Sequence, residues 1–292
     1  MATKKSNLRR NCATMPVHHL LLETVPGFRA RQIALEHANT AMLRTAMAVP
    51  PKPSVIKTIV HILYNKAQEN ISQAQIDSQI KVLNLDFRAK NTDRARTPTV
   101  FKGLIADPMI EFKLDRVTRT RTTRTAFPPD NSMKRTASGG INPVDTRKFL
   151  NIWVCTLGQN LLGYAQFPGG PTSTDGVVIL NSAFGTSGTA QVPFNRGRTT
   201  THEIGHYLNL RHIWGDTEDC SGGDLVADTP NAETPNFGKP AFPQISCSNG
   251  PNGDMFMNYM DYVDDAAMFM FSQGQVARMR ATLAGPRKLL VT

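Results

Sequence analysis

Three histidines and a glutamate fall within eleven residues, His202 to His212, out of only seven histidines in the chain. His202 and His206 are four apart, so a helix sets both imidazoles on one face, one turn apart, as two ligands for zinc. Glu203 stands beside the first, placed to act on a water at the metal without ligating it. His212 lies six beyond His206, too far round the same helix to converge, so the helix has to end between them. Asn209 is the residue to end it, because Asn tolerates the left-handed conformation best after Gly. Three protein ligands leave one position open for water, the arrangement of a catalytic rather than a structural zinc site. The plainer reading is a chance HExxH pattern on a surface helix; the third histidine and the turn residue weigh against it. The other histidines (His18, His19, His37 and His61) lack such spacing, and His61, inside Ile59-Val60-His61-Ile62-Leu63, reads as a strand residue.

The elements that must position this cluster alternate in type. The zinc helix is expected from about Arg198 to Leu208. Strands are expected at 55–63, 110–114, 149–157 and 175–180, and a short one at 162–168, closed by Pro168 and suited to a sheet edge. Ser72 and Gln75 read as a capping box opening a helix with Ile76, Ile80, Leu83 and Phe87 on one face. After His212 the chain is irregular until a second capping box at Ser272 and Gln275, which opens a last helix through Val276, Met279 and Leu283, ending at Gly285-Pro286. This alternation is that of an α/β (α+β) protein. Residues 1–50 differ: a helical pattern over Arg31 to Met47 is followed by the stiff Pro50-Pro51-Lys52-Pro53. They read as an appendage to a main unit, 51–292.

At 292 residues the chain can bury a full core. No run of eighteen apolar residues occurs, which excludes a membrane-spanning helix. The basic start, Met1 to Arg10, has no apolar stretch behind it, so no secretory leader is visible. The net charge of +10 raises nucleic acid as a partner. Its densest stretch, Arg116 to Arg124, alternates Arg with Thr and lacks aromatic residues for base stacking, so a solvated strand edge or loop is the better reading. Cys220 and Cys247 flank a Gly/Asp/Pro-rich segment with little core of its own, which a disulfide would staple. Cys155, in an apolar strand, reads as a buried free thiol. A disulfide favours an oxidising, extracellular compartment. The acidic run Asp219 to Thr229 suits calcium or is simply a solvated loop; it lacks EF-hand spacing.

The window His202–His212 resembles the zinc signature of the metzincin metalloproteases, whose usual form has Gly where this chain has Asn209. The continuation Ile213-Trp214-Gly215-Asp216 and the run Met257-Asn258-Tyr259-Met260-Asp261-Tyr262 narrow the resemblance to the pappalysin family, over about residues 55 to 284. The resemblance implies a zincin fold: a mixed five-stranded sheet with the active-site helix in an upper lobe to about 212, then an irregular lower lobe, 213–292, with a methionine turn and the C-terminal helix. It implies Met260 as the hydrophobic base beneath zinc and Tyr262 near the metal or the reacting carbonyl. The edge strand with Gly163, Tyr164 and Ala165 would hold substrate backbone, unless it is an ordinary edge. Asp265, five beyond Met260, matches the floor of the pocket for the residue after the cut, implying a preference for Arg or Lys there; otherwise Asp264 and Asp265 merely line the lower lobe. Structural calcium is implied at Asp224, Ala227, Asp228 and Thr229. The pairing of Cys220 with Cys247 is supported, while Lys239 and Ala267 stand where a second bridge would fall.

Arg10-Asn11-Cys12-Ala13-Thr14 resembles the family's pro-segment motif, which usually has Gly at the Ala13 position. Cys12 would then take the fourth zinc position and hold the enzyme latent; the other reading is an incidental cysteine. The expectation is therefore a zinc endopeptidase made as a zymogen with Glu203 as general base, acting on proteins or peptides, with neither nucleic acid nor membrane as a partner. Self-activation is expected at Leu43-Arg44, with Lys52 as a second position. The rival class is a catalytically silent peptide-binding module of the same fold, against which the intact Glu203 argues.

Overall fold

A computed structural model of the protein describes residues 9–44 and 52–291. The basic stretch Met1–Leu8, the expected helix end at Met47 and the break at Pro50-Pro51 lie outside the described residues. Five strands form one sheet in the order β2-β1-β3-β5-β4: β1 (Ser54–Tyr64), β2 (Ile110–Arg121), β3 (Leu150–Cys155), β4 (Gly163–Ala165) and β5 (Val177–Leu180). Only β4 runs antiparallel to its neighbour. Central β3 is buried along its whole length. Its alternation sends Leu150, Ile152 and Val154 into one apolar cluster and Trp153 and Cys155 into another, on the opposite face. β2 runs seven residues further than expected, to Arg121, and is the outer strand, so Arg116, Arg119 and Arg121 lie on a solvated edge.

Under the first face lie α3 (Gln73–Asp86) and, past the one-turn α4 (Thr99–Lys102), the long-range partner α5 (Arg198–Tyr207). Ser72 caps α3, accepting from Gln75 N at 3.2 Å. The expected reciprocal half of that capping box is absent. Gln75 is fully buried: its amide nitrogen donates to Phe184 O at 2.8 Å and Asn181 O at 3.2 Å and its Oε1 accepts from Thr189 N at 3.0 Å, so that the solvated Ser72 N–H is left to water. At α6 (Gln273–Ala284) the box does close: Ser272 N donates to Gln275 Oε1 at 3.0 Å. Between α5 and α6 the chain is mostly irregular and is stapled by the Cys220–Cys247 disulfide. Cys155 is a buried free thiol.

Residues 9–44 form two helices, α1 (Thr14–Thr24) and α2 (Phe28–Arg44). The sequence pattern foresees only the second. α1 carries just two core-facing positions, Val17 and Leu21, too few to show a helical period; they join Trp153, Tyr164 and Val178 in the second apolar cluster. α2 begins earlier than expected because Phe28, fully buried, belongs to the same cluster. Among the described residues no helix is long and apolar enough to cross a membrane.

Candidate metal centre and cleft

Every residue of α5 is buried. The helix ends as its spacing demands: Asn209 takes φ 73°, and Leu210 N closes on Gly205 O at 2.9 Å. That left-handed turn reverses the chain and brings His212 to its two partners. The three Nε2 atoms converge, at 3.2 Å (His202–His206), 3.0 Å (His206–His212) and 3.3 Å (His202–His212). Each opposite nitrogen has an acceptor: His202 Nδ1 donates to Tyr259 O at 2.7 Å, His206 Nδ1 to Leu210 O at 2.8 Å, and His212 Nδ1 to Asp216 Oδ1 at 2.5 Å. All three rings therefore carry their proton on Nδ1 and turn bare lone pairs towards one point. Burial first, and the neighbouring rings next, hold His202 and His206 well below the usual imidazole pKa. Three converging lone pairs repel one another unless a cation lies between them, so these residues fit a metal ion, and an all-imidazole set suits zinc.

Met260 packs against the helix between the two histidines, at Gly205. A Cβ on Gly205 would come within 2.4 Å of Met260 Sδ, so the glycine inside the histidine motif is what lets the methionine approach the helix. Trp214 stacks on His212, with centroids 4.3 Å apart and planes at 9°. In the sequence, Trp214 and Asp216 are marked only by the family resemblance. The four-residue step from His212 to Asp216 is the one local signal that could have marked the latter.

The cleft above the histidines is filled by the chain's own residues 10–14. Cys12 Sγ and the histidine nitrogens all lie within 4.8 Å of one another, the one such group among the described residues. Cys12 Sγ also donates to Glu203 Oε2 at 3.3 Å, and Thr14 Oγ1 donates to the same oxygen at 3.0 Å. Burial pushes the Glu203 carboxyl up to about 8, against the lowering by those two bonds and by Arg10. Burial, and then the Glu203 charge, push the Cys12 thiol up as well. Gly163 sits opposite Glu203: a Cβ there would meet Glu203 Cγ at 2.9 Å.

The edge strand β4 is paired, but with this chain. Leu162 N donates to Asn11 O at 2.9 Å, Ala13 N to Gly163 O at 3.1 Å, and Ala165 N to Thr14 Oγ1 at 2.9 Å. Tyr164 turns its side chain away, into the second apolar cluster. The Tyr262 hydroxyl accepts from Cys12 N at 3.3 Å, and its ring lies 4.9 Å from that of His212. Two residues before Cys12, Arg10 reaches Asp265: NH2 donates to Oδ1 at 2.7 Å, with both side chains at most 1 % exposed. The second carboxylate oxygen accepts from Arg196 N and Arg198 N, at the start of α5. Nothing local in the sequence marks Thr14 and Arg10 as site residues, since their partners lie 189 and 255 residues away.

Asp224 and Asp228 have different hydrogen-bond partners. Asp224 accepts from Val226 N at 3.0 Å and from Thr229 Oγ1 at 2.8 Å. Asp228 accepts from Ser272 Oγ at 2.6 Å and Gly274 N at 2.9 Å, capping the start of α6.

Comparison with known proteins agrees with this geometry. The profile of the pregnancy-associated plasma protein-A family matches residues 141–284. An extracellular metalloprotease of Arthroderma benhamiae is 32% identical over 231 residues, 77% of this chain and 75% of the relative. Extracellular metalloprotease 1 of Coccidioides posadasii is 32% identical over 93% of this chain and 88% of its own length. Among solved structures, Tannerella forsythia promirolysin superposes with a TM-score of 0.88 at 44% identity, covering 96% of this chain and 97% of its own. Mature mirolysin in complex with a cleaved peptide gives 0.80 at 48% identity, covering 82% of this chain and 96% of its own. Fold and site thus define a metalloendopeptidase of metzincin architecture. The chain belongs to the pregnancy-associated plasma protein-A, or pappalysin, family.

Proposed function

We propose that the enzyme is made latent, with residues up to the connector at 45–51 as a removable pro-segment, and that once freed it cuts peptide bonds before Arg or Lys. The observation that carries this reading is the joint placement of Cys12 at the three histidines and Arg10 on Asp265. One short strand of the chain's own sequence lies where a substrate strand would, paired to β4 and with a basic side chain in the acidic pocket. The mature mirolysin structure covers less of this chain than promirolysin does, which supports a removable N-terminal part.

His202, His206 and His212 would hold zinc, with Cys12 as fourth ligand in the latent form. Zinc bound there supplies Lewis-acid polarisation of the scissile carbonyl and of water. With Cys12 and Thr14 gone, Glu203 Oε2 is free to take a proton from the attacking water and pass it to the leaving amine. The Tyr262 hydroxyl, released from the Cys12 backbone, turns to donate to the carbonyl oxygen. β4 holds substrate backbone through the groups that now bind residues 11–14. Met260 and Asn209 serve the centre by packing and by the turn. Cleavage at Leu43-Arg44, in the last turn of α2 rather than in the connector, or before Lys52, just past it, would release the segment.

Calcium in the lower lobe rests on Asp224, whose carboxyl burial pushes up to about 7 and which would gain from a cation; Ala227 and Thr229 would supply further oxygens, while Asp228 already caps α6. Export to an oxidising compartment is supported by the disulfide and by the relatives' names.

The test is a peptide-library digest with and without a zinc chelator, followed by sequencing of the cut sites. Cleavage before Arg and Lys that stops on chelation is expected. The Glu203→Ala protein should keep its metal and lose about a thousandfold in rate. Cuts that persist in the metal-free protein would sink the proposal.

A further inference from the structure

α2 is held to the catalytic part by a second ion pair, of opposite polarity to the first. Glu36 accepts from Arg278 on α6 through both carboxylate oxygens, at 2.6 and 2.5 Å, and the Arg278 side chain is only 1% exposed. Arg278 Nε donates to Asn209 O at 2.7 Å, on the turn that delivers the third histidine. Arg211, next to His212, lines the same cavity as Glu36 and Asn209; burial raises the Glu36 carboxyl, but Arg278 and then Arg211 hold it below its ordinary value. Two guanidiniums thus gather around one carboxylate of the pro-segment.

Their place in the cleft follows from β4. Residues 10 to 14 run from Asp265, past the histidines at Cys12, to Ala165 N at Thr14, and Phe167 continues that direction with its ring 5.6 Å from His206. Phe167, Asn209 and Arg211 form the catalytic wall of a cavity of about 450 Å³ whose other wall is α1 and α2, Glu36 included. This wall lies across the metal centre from Asp265. If Asp265 takes the residue after the cut, as proposed above, the Phe167–Arg211 wall takes residues before it.

We propose that Arg211 and Arg278 form a subsite for an acidic side chain on the N-terminal side of the cut, occupied by Glu36 in the latent form. Removing α2 takes away the carboxylate that neutralises a nearly buried guanidinium, and a substrate Asp or Glu restores it with the same bidentate geometry. The inference rests on the reading of Asp265, and its test separates the two.

Mature enzyme is assayed on peptides with Arg after the cut and a single Glu, or its neutral isostere Gln, walked through the four residues before it. At one position Glu should raise kcat/KM about fivefold over Gln, mainly through KM, since the contact is remote from the reacting bond. High salt should shrink that ratio. Arg211→Gln should lower it, since Arg278 remains, and Arg211→Glu, whose carboxylate pairs with Arg278 in place of the substrate's, should bring it to about one. Arg278 also supports the Asn209 turn, so the Arg211 variants carry the test. A Glu/Gln ratio of one at all four positions, with the Arg/Lys preference intact, overturns the subsite alone. An acidic preference unchanged in Arg211→Glu also overturns it, whereas cleavage indifferent to the residue after the cut overturns the reading of Asp265.

Discussion

Arg10 and Asp265 are 255 residues apart in the chain and form a fully buried ion pair, 2.7 Å between NH2 and Oδ1. The carboxylate caps the start of the helix that carries two of the three histidines, so one bond ties the N-terminal segment to the frame of the metal centre.

Removing one partner of such a pair leaves the other charge buried, at a cost of about 3–5 kcal/mol. Arg10→Ala should therefore loosen residues 10–14 and speed self-processing, followed by gel electrophoresis over time, and Arg10→Lys should fall between the two. A parent-like time course in Arg10→Ala would show that the pair does not restrain the segment. Asp265→Ala should process early too, and its cut-site profile should lose the bias for Arg and Lys; an unchanged profile would make Asp265 purely structural.

Cys12→Ala should also shorten latency, since it removes the sulfur from the histidine cluster while leaving the backbone pairing to Gly163 in place. Because Cys12 and Arg10 lie on one strand, their effects should be less than additive when combined. Unaltered processing of Cys12→Ala would leave steric cover as the whole cause of latency.

Acid should weaken the docking of α1. His18 is shifted from the ordinary 6.5 down to about 4, by burial first and then by His19, Arg211 and Arg29. The docked state thus binds fewer protons than the free segment between those values. The stability His18 contributes is present in full above about pH 6.5 and is lost as pH falls towards 4. Hydrogen exchange in the Glu203→Ala protein should show α1 losing protection over that window. His18→Phe keeps the ring packing on Phe28 and Phe167 and should flatten the dependence. Equal profiles for the two proteins would place the acid sensitivity elsewhere.

The Cys220–Cys247 bridge closes a loop of 27 residues that has little secondary structure. Loop-closure entropy puts its contribution at about 3.5 kcal/mol. Reduction, or Cys220→Ser with Cys247→Ser, should lower Tm by several degrees while the sheet stays intact. No change in Tm on reduction would mean that the loop is ordered by its own hydrogen bonds.

Much of the site was legible because it is local. The four-residue step from His202 to His206 needs only the pitch of a helix, and Asn209 needs only its tolerance of positive φ, so both could be read before any fold was known. Strands β1, β3 and β5 showed in the same way, since a strand buried on both faces is apolar along its length. The capping box at Ser272 and Gln275 closes within four residues and was read correctly. The one at Ser72 was half wrong, because Gln75 found carbonyls more than a hundred residues away.

What only tertiary structure decided is which distant groups share one buried volume. Thr14 meets Glu203, Arg10 meets Asp265, and Glu36 meets Arg278 across sequence separations of 189, 255 and 242 residues. The residue types give no periodic sign of these pairings. A charged side chain that is to be buried must find an opposite charge, but the chain can satisfy that need with any acid or base that folding brings near. The sequence alone determined the histidine ligand geometry, because a helix and one turn suffice to build it. The packing of α1 and α2 against the sheet decided that the cleft above is closed, because that closure is made of contacts between segments that local rules cannot pair.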